Sequence, residues 1–152
     1  MVMSTHAKAI VACAMYEKGR AFLGASLLVN QKKGNAYVVL HLLCQGIEIV
    51  LKALLLRRDY DTHRPTLKRL GHNLVRTATS VRTATDLHVF THGALAELQI
   101  LNSFYSQHLL RYASNVDILI NPETIPHKRV ARHAFALVKY CEKKGTFNVN
   151  AI

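Results

Sequence analysis

Cysteine is scarce in this chain. The three present, Cys13, Cys44 and Cys141, fall in separate apolar patterns, and an odd count without paired spacing excludes a disulfide framework and points to reduced, buried thiols. Long apolar runs are missing too. The best one is broken by His41, Gln45, Glu48 and Lys52 before it reaches the roughly 20 residues that a membrane span needs, so no membrane partner is expected. The opening residues Met1-Val2-Met3-Ser4-Thr5-His6-Ala7-Lys8 lead towards Glu17, Lys18 and Arg20 without a clean apolar stretch or a small-residue cleavage site, so the expected location is cytoplasmic. Strand-type alternation, fixed-period repeats and low-complexity tracts are absent. So are a glycine-rich phosphate loop, a serine-histidine triad and a zinc knuckle, which removes those chemistries. His88 and His92 stand i, i+4, but no Glu, Asp or Cys completes a recognised ligand spacing nearby; neither a metal nor another cofactor is expected.

Acids are few: 9 Asp and Glu face 20 Lys and Arg, a formal charge of +11. The imbalance is local. Residues 57–82 hold seven cations (Arg57, Arg58, Arg64, Lys68, Arg69, Arg76, Arg82) against Asp59 and Asp61, whereas residues 83–126 hold only Arg111 against four acids. Residues 127–144 return to six cations, among them Lys128, Arg129, Arg132 and Lys139, against Glu142. Such basic segments either form a solvated surface or attract phosphates.

What remains is helical periodicity. A first helix is expected over residues 4–30, stopped by Gln31-Lys32-Lys33-Gly34-Asn35, and a second over residues 35–57. The loop 58–71 contains Pro65, whose missing N–H argues against continuous helix. A short helix at 72–81 follows. A long one, capped by Thr85 or Asp86, is expected to carry Leu95, Leu98, Leu101, Tyr105, Leu109 and Tyr112 up to residue 114. After an irregular stretch with Pro122 and Pro126, a last amphipathic helix closes at Gly145. The fold class expected is all-α: one domain over residues 1–145, an up-and-down bundle of four main helices with one short extra helix, and a tail over 146–152.

The second helix is apolar nearly all round, which makes it the central element of the bundle. Its one polar stripe, His41, Gln45, Glu48 and Lys52, lies within about 60° of arc. Either the stripe faces solvent, with Glu48 and Lys52 as an ordinary i, i+4 pair, or both charges face inward and are satisfied by the Gly71-His72 turn. Gly71 marks a special backbone conformation.

The ordered set Glu48-x3-Lys52-Ala53-Leu54-Leu55, Gly71-His72-Asn73-Leu74, Leu101-Asn102-x2-Tyr105 and Arg111-Tyr112 resembles the HEPN domains, the higher eukaryotes and prokaryotes nucleotide-binding helical bundles. The likeness runs over about residues 7–140, with Asn73 where an acid is more usual. It implies a bundle that dimerises and binds nucleotide or RNA, and in many members cleaves RNA through an Arg-x4–6-His motif. At Arg111 that motif is missing, since Val116, Asp117 and Ile118 occupy the histidine positions. Arg57 or Arg58 with His63, and Arg82 with His88, fit the spacing, the latter in the better place.

Three functions are therefore in view. The leading one is a nucleotide- or RNA-binding module, the expected partners being nucleotide or RNA and a second copy of the chain, with Glu48, Lys52, His72, Asn73, Arg76, Asn102, Tyr105, Arg111 and Tyr112 as ligand contacts; tyrosines stack unpaired bases and arginines hold phosphates. The second is a metal-independent ribonuclease of toxin or defence type, with Arg82 holding phosphate and His88 as acid or base. The third is a structural partner of a nucleotidyltransferase or another enzyme.

Overall fold

The computed structural model describes residues 2–151. Among them the chain forms eight α-helices, two short 3-10 turns and no strand. α1 covers Thr5–Gln31 and begins where the Ser4 hydroxyl accepts from the Ala7 N–H at 3.2 Å. α2 covers Ala36–Arg58, begun by the Asn35 side chain accepting from Tyr37 and Val38 N–H groups. Each cap satisfies an amide that the first turn leaves without a partner. The chain turns between them with Lys33, not Gly34, at positive φ (55°).

α1 and α2 run antiparallel along a close contact. Residues 19, 23 and 26 of α1 meet 50, 46 and 39 of α2: a Cβ on Gly19 would lie 2.7 Å from Val50 Cγ2, one on Gly46 would lie 2.7 Å from Leu23, and the Ser26 hydroxyl donates to Val39 O. The two glycines let the backbones approach. α2 is long and apolar enough to cross a membrane by length and composition, and the rest of the fold buries most of it. Leu40, Leu43, Leu51 and Leu55 are fully buried, each such leucine contributing about 1.5–3 kcal/mol.

The basic segment expected as loop contains two short helices, α3 (Tyr60–His63) and α4 (Thr66–Leu70), with Pro65 at the N-cap of α4, where its missing N–H costs nothing. α5 runs from Leu74 to Thr85 and α6 from His92 to Tyr105. With α8 (Lys128–Lys144) that makes five substantial helices, not four and a short extra one. α5 packs on α2 and α6, and α6 packs on α8, which returns to α1.

The long helix expected from Thr85 or Asp86 to residue 114 is shorter at both ends. Asp86 adopts a left-handed conformation (φ 56°) that ends α5, and Thr91 caps α6 instead. His88 therefore lies in an irregular connection and His92 at a helix start, so the two do not share a helical face. At the other end the chain leaves α6 after Tyr105, with His108 at φ 60°, and α7 (Val116–Leu119) is a single turn. α8 has no side-chain cap of its own; Glu97 of α6 accepts from the Arg129 and Val130 N–H groups. Gly145, at φ 61°, closes α8 as its position in the pattern suggests. Past it, Phe147 is buried and stacks on Tyr16 at 4.1 Å.

Candidate functional site

The polar stripe of α2 faces inward. Glu48 and Lys52 are both buried, 6% and 8% exposed, and Lys52 Nζ donates to Glu48 Oε1 at 2.6 Å. The same ammonium donates to the carbonyl of Gly71 at 2.6 Å. Gly71 presents that carbonyl from φ 53°, ψ −134°, a conformation costly for any residue with a Cβ. The second carboxylate oxygen of Glu48 accepts from Tyr105 OH at 2.6 Å and lies 3.0 Å from His72 Nδ1. Helices α2 and α6 and the turn before α5 thus meet on one carboxylate.

Burial alone would push the Glu48 carboxyl up, but the donations from Lys52, Tyr105 and His72 outweigh it and hold its pKa below the ordinary carboxylate value. Glu48 is then an acceptor only, which makes His72 Nδ1–H the donor. Burial, and then the bond to Glu48, raise the Tyr105 phenol, so it remains a donor.

Two of the expected ligand contacts are occupied in building the turn. The Asn73 side chain accepts from Arg76 N–H at 2.9 Å and caps α5, which is what a residue there needs in place of an acid. Asn102 Oδ1 accepts from Leu74 N–H at 2.7 Å, tying α6 to that same first turn.

Around Glu48 gathers a set of basic rings. His72 meets Tyr105 edge-on at 5.8 Å between centroids and His108 at 5.1 Å, and His41 lies 5.8 Å from Tyr105. His41 and His108 were not among the residues singled out from sequence: His41 stood only as part of the stripe, and His108 belongs to no motif. Burial holds the His41 pKa below its ordinary value, and the charges of Arg111, His108 and His72 add to that effect against the opposing influence of Gln45. Its Nδ1 is buried with no hydrogen-bond partner among the described residues. Arg111 is exposed, with its guanidinium carbon 5.5 Å from the centroid of the exposed Tyr112 ring.

Arg76, Arg82 and His88 lie apart from this cluster. Arg76 is exposed on the first turn of α5, Arg82 is exposed in its last turn, and His88 is exposed in the connection to α6. No hydrogen bond joins Arg82 to His88 among the described residues. No protein-family model, curated protein or solved structure matches the chain.

Proposed function

We propose that the chain is a HEPN-like helical module that binds nucleotide or RNA, and that it does so where His41, His72, His108 and Arg111 gather at Glu48. One observation carries the reading: four basic side chains share a neighbourhood whose single carboxylate is already taken up by Lys52, Tyr105 and His72. Glu48 and Lys52 cancel one another, so an arriving phosphate meets Arg111 and the imidazoles without a competing acid. His72 is oriented by Glu48 and its side chain is half exposed. The exposed Tyr112 ring beside Arg111 offers a face on which an unpaired base stacks.

The order of motifs supports the family assignment, and the Lys52 to Gly71 bond gives that order a physical sense, since the helix motif and the turn motif are two halves of one contact. The family likeness further implies a homodimer; Ile118 and Leu119, 84% and 80% exposed just beyond Arg111 and Tyr112, supply apolar surface for it. Retention of labelled single-stranded RNA by the purified protein over a salt series tests the reading, with cleavage scored in the same lanes. Salt-sensitive retention without cleavage is expected; no retention at low salt overturns the proposal, and cleavage overturns its restriction to binding.

A further inference from the structure

A second basic region lies away from the histidine cluster and shares none of its residues. Between the α3–α4 segment and α5 runs an open groove of about 650 Å3 to which Arg58, Arg69 and Arg76 all contribute, a size within the usual range for small-molecule sites. Arg58 is fixed across it, its Nε donating to the Ala84 carbonyl at 3.1 Å and so joining the end of α2 to the end of α5. Neither Arg69 nor Arg76 pairs with a carboxylate among the described residues.

The one acid in the groove is committed elsewhere. Asp59 caps α3, accepting from Thr62 N–H at 3.1 Å and from the Thr62 hydroxyl at 2.8 Å, and those bonds hold its pKa below the ordinary value. Three guanidinium groups therefore face one concavity against a single carboxylate that none of them pairs with, and Ser80 and Thr83 add hydroxyls along the α5 wall. A cleft lined by one sign of charge concentrates the opposite sign. Guanidinium groups hold phosphate oxygens in pairs. The lining contains no Phe, Tyr or Trp, and His63 is its one ring, so the guanidinium groups dominate what the groove offers a ligand.

We propose that this groove binds successive phosphate groups of a polyanion, recognised through their oxygens by Arg58, Arg69 and Arg76. Two sources share that chemistry: a linear oligophosphate, as carried by a nucleoside triphosphate, and the backbone of single-stranded RNA. The proposal does not depend on ligand binding at the histidine cluster.

The test is calorimetric titration of the full chain at low salt with tripolyphosphate and, separately, with a short oligouridylate. Binding of one or both is expected, the one that binds identifying the source. In Arg69→Gln/Arg76→Gln the affinity for that ligand drops about tenfold or more, whereas Arg132→Gln/Lys139→Gln, which removes the same charge from exposed positions on α8, leaves it within about twofold of the parent. Thr83→Glu, which sets a carboxylate in the groove from an exposed position, weakens binding as well and serves should the double variant fold poorly. No binding of either ligand overturns the proposal, as does equal weakening by the α8 pair or unchanged affinity in both groove variants. Failure at the histidine cluster is read separately, from Arg111→Ala with RNA.

Discussion

Lys52 Nζ lies 2.6 Å from the carbonyl oxygen of Gly71, 19 residues further along the chain. A single ammonium thereby spans from the middle of the central helix to the turn that launches α5, and its other bond, to Glu48, sets the carboxylate that Tyr105 and His72 share. Three parts of the fold, α2, α6 and the turn before α5, are coupled through two buried charges. Taking two charges out of water costs several kcal/mol per ion, so the arrangement is stable only because every partner is present.

Removing one partner is therefore worse than removing both. Lys52→Met leaves Glu48 buried without its cation and Gly71 without its donor, and is expected to lower unfolding free energy by about 3–5 kcal/mol. Glu48→Leu leaves the buried Lys52 ammonium without its carboxylate and the Tyr105 hydroxyl unpaired, and is expected to cost a similar amount, about 3–5 kcal/mol. The double variant Glu48→Leu/Lys52→Met should lose less than the sum. Urea unfolding of the four proteins in a double-mutant cycle measures this; additivity within about 0.5 kcal/mol would show that the pair does not act as a unit.

Gly24 and Gly71 make a contrasting pair, since a Cβ at either would meet nothing within 4 Å. Gly24 lies inside α1 and is exposed, so Gly24→Ala should stabilise the protein by up to about 1 kcal/mol through helix propensity. Gly71 sits at φ 53° and ψ −134°, where alanine is strained, and Gly71→Ala should destabilise by about 1–3 kcal/mol. Thermal unfolding midpoints that move the same way for both variants would falsify the conformational argument.

How much of this was legible in the sequence follows from what each pattern encodes. The central role of α2 shows because an element apolar on every side has to be covered, and the inward turn of Glu48 and Lys52 was one of two readings that spacing alone left open. Spacing fixes which residues share a face; only the partners, Gly71 and Tyr105, decide whether that face is wet. The end of α6 at Tyr105 is not legible because Leu109 and Tyr112 continue the apolar rhythm past it. Leu110 is indeed buried, but from an irregular segment, since burial does not require helix. Asp86 resembles an N-cap and instead takes the left-handed position that ends α5. His108 carried no signal at all, because its place beside His72 is created by the turn after Tyr105.

His41 makes stability depend on pH. Its pKa in the folded protein lies below the ordinary value, which is about 6.5 in an unfolded chain. Between those two values the unfolded chain binds a proton that the folded one refuses, so stability is fully present above about pH 6.5 and declines as pH falls below it. Glu48 acts in a lower window: its folded pKa is depressed, so its contribution is lost only as pH falls below about 4.3. The groups around His41 are Gln45 on its own helix, Tyr105 on α6, His72 at the turn, and His108 and Arg111 beyond α6. His41→Leu should flatten the fall in unfolding temperature between about pH 7 and about pH 5.5 while leaving the acid limb in place. A variant as sensitive as the parent in the upper window would remove His41 as the cause.

The same titration couples to ligand. A phosphate beside His41 favours the imidazolium, so binding should draw in a proton and tighten as pH falls from about 7.5 to about 6, the opposite of the trend in stability of the unliganded protein. Arg111 supplies the charge that does not titrate. Arg111→Ala should therefore weaken single-stranded RNA retention at every pH and reduce the slope of log affinity against log salt by about 0.7, while His41→Leu should keep the slope near neutral pH and lose the acid enhancement. Arg111 is exposed and unpaired with any carboxylate among the described residues, so its loss should not alter the fold, and circular dichroism checks that. If Arg111→Ala retains RNA with the parent's slope, the guanidinium does not touch the backbone and the ligand, if bound, lies elsewhere on the surface.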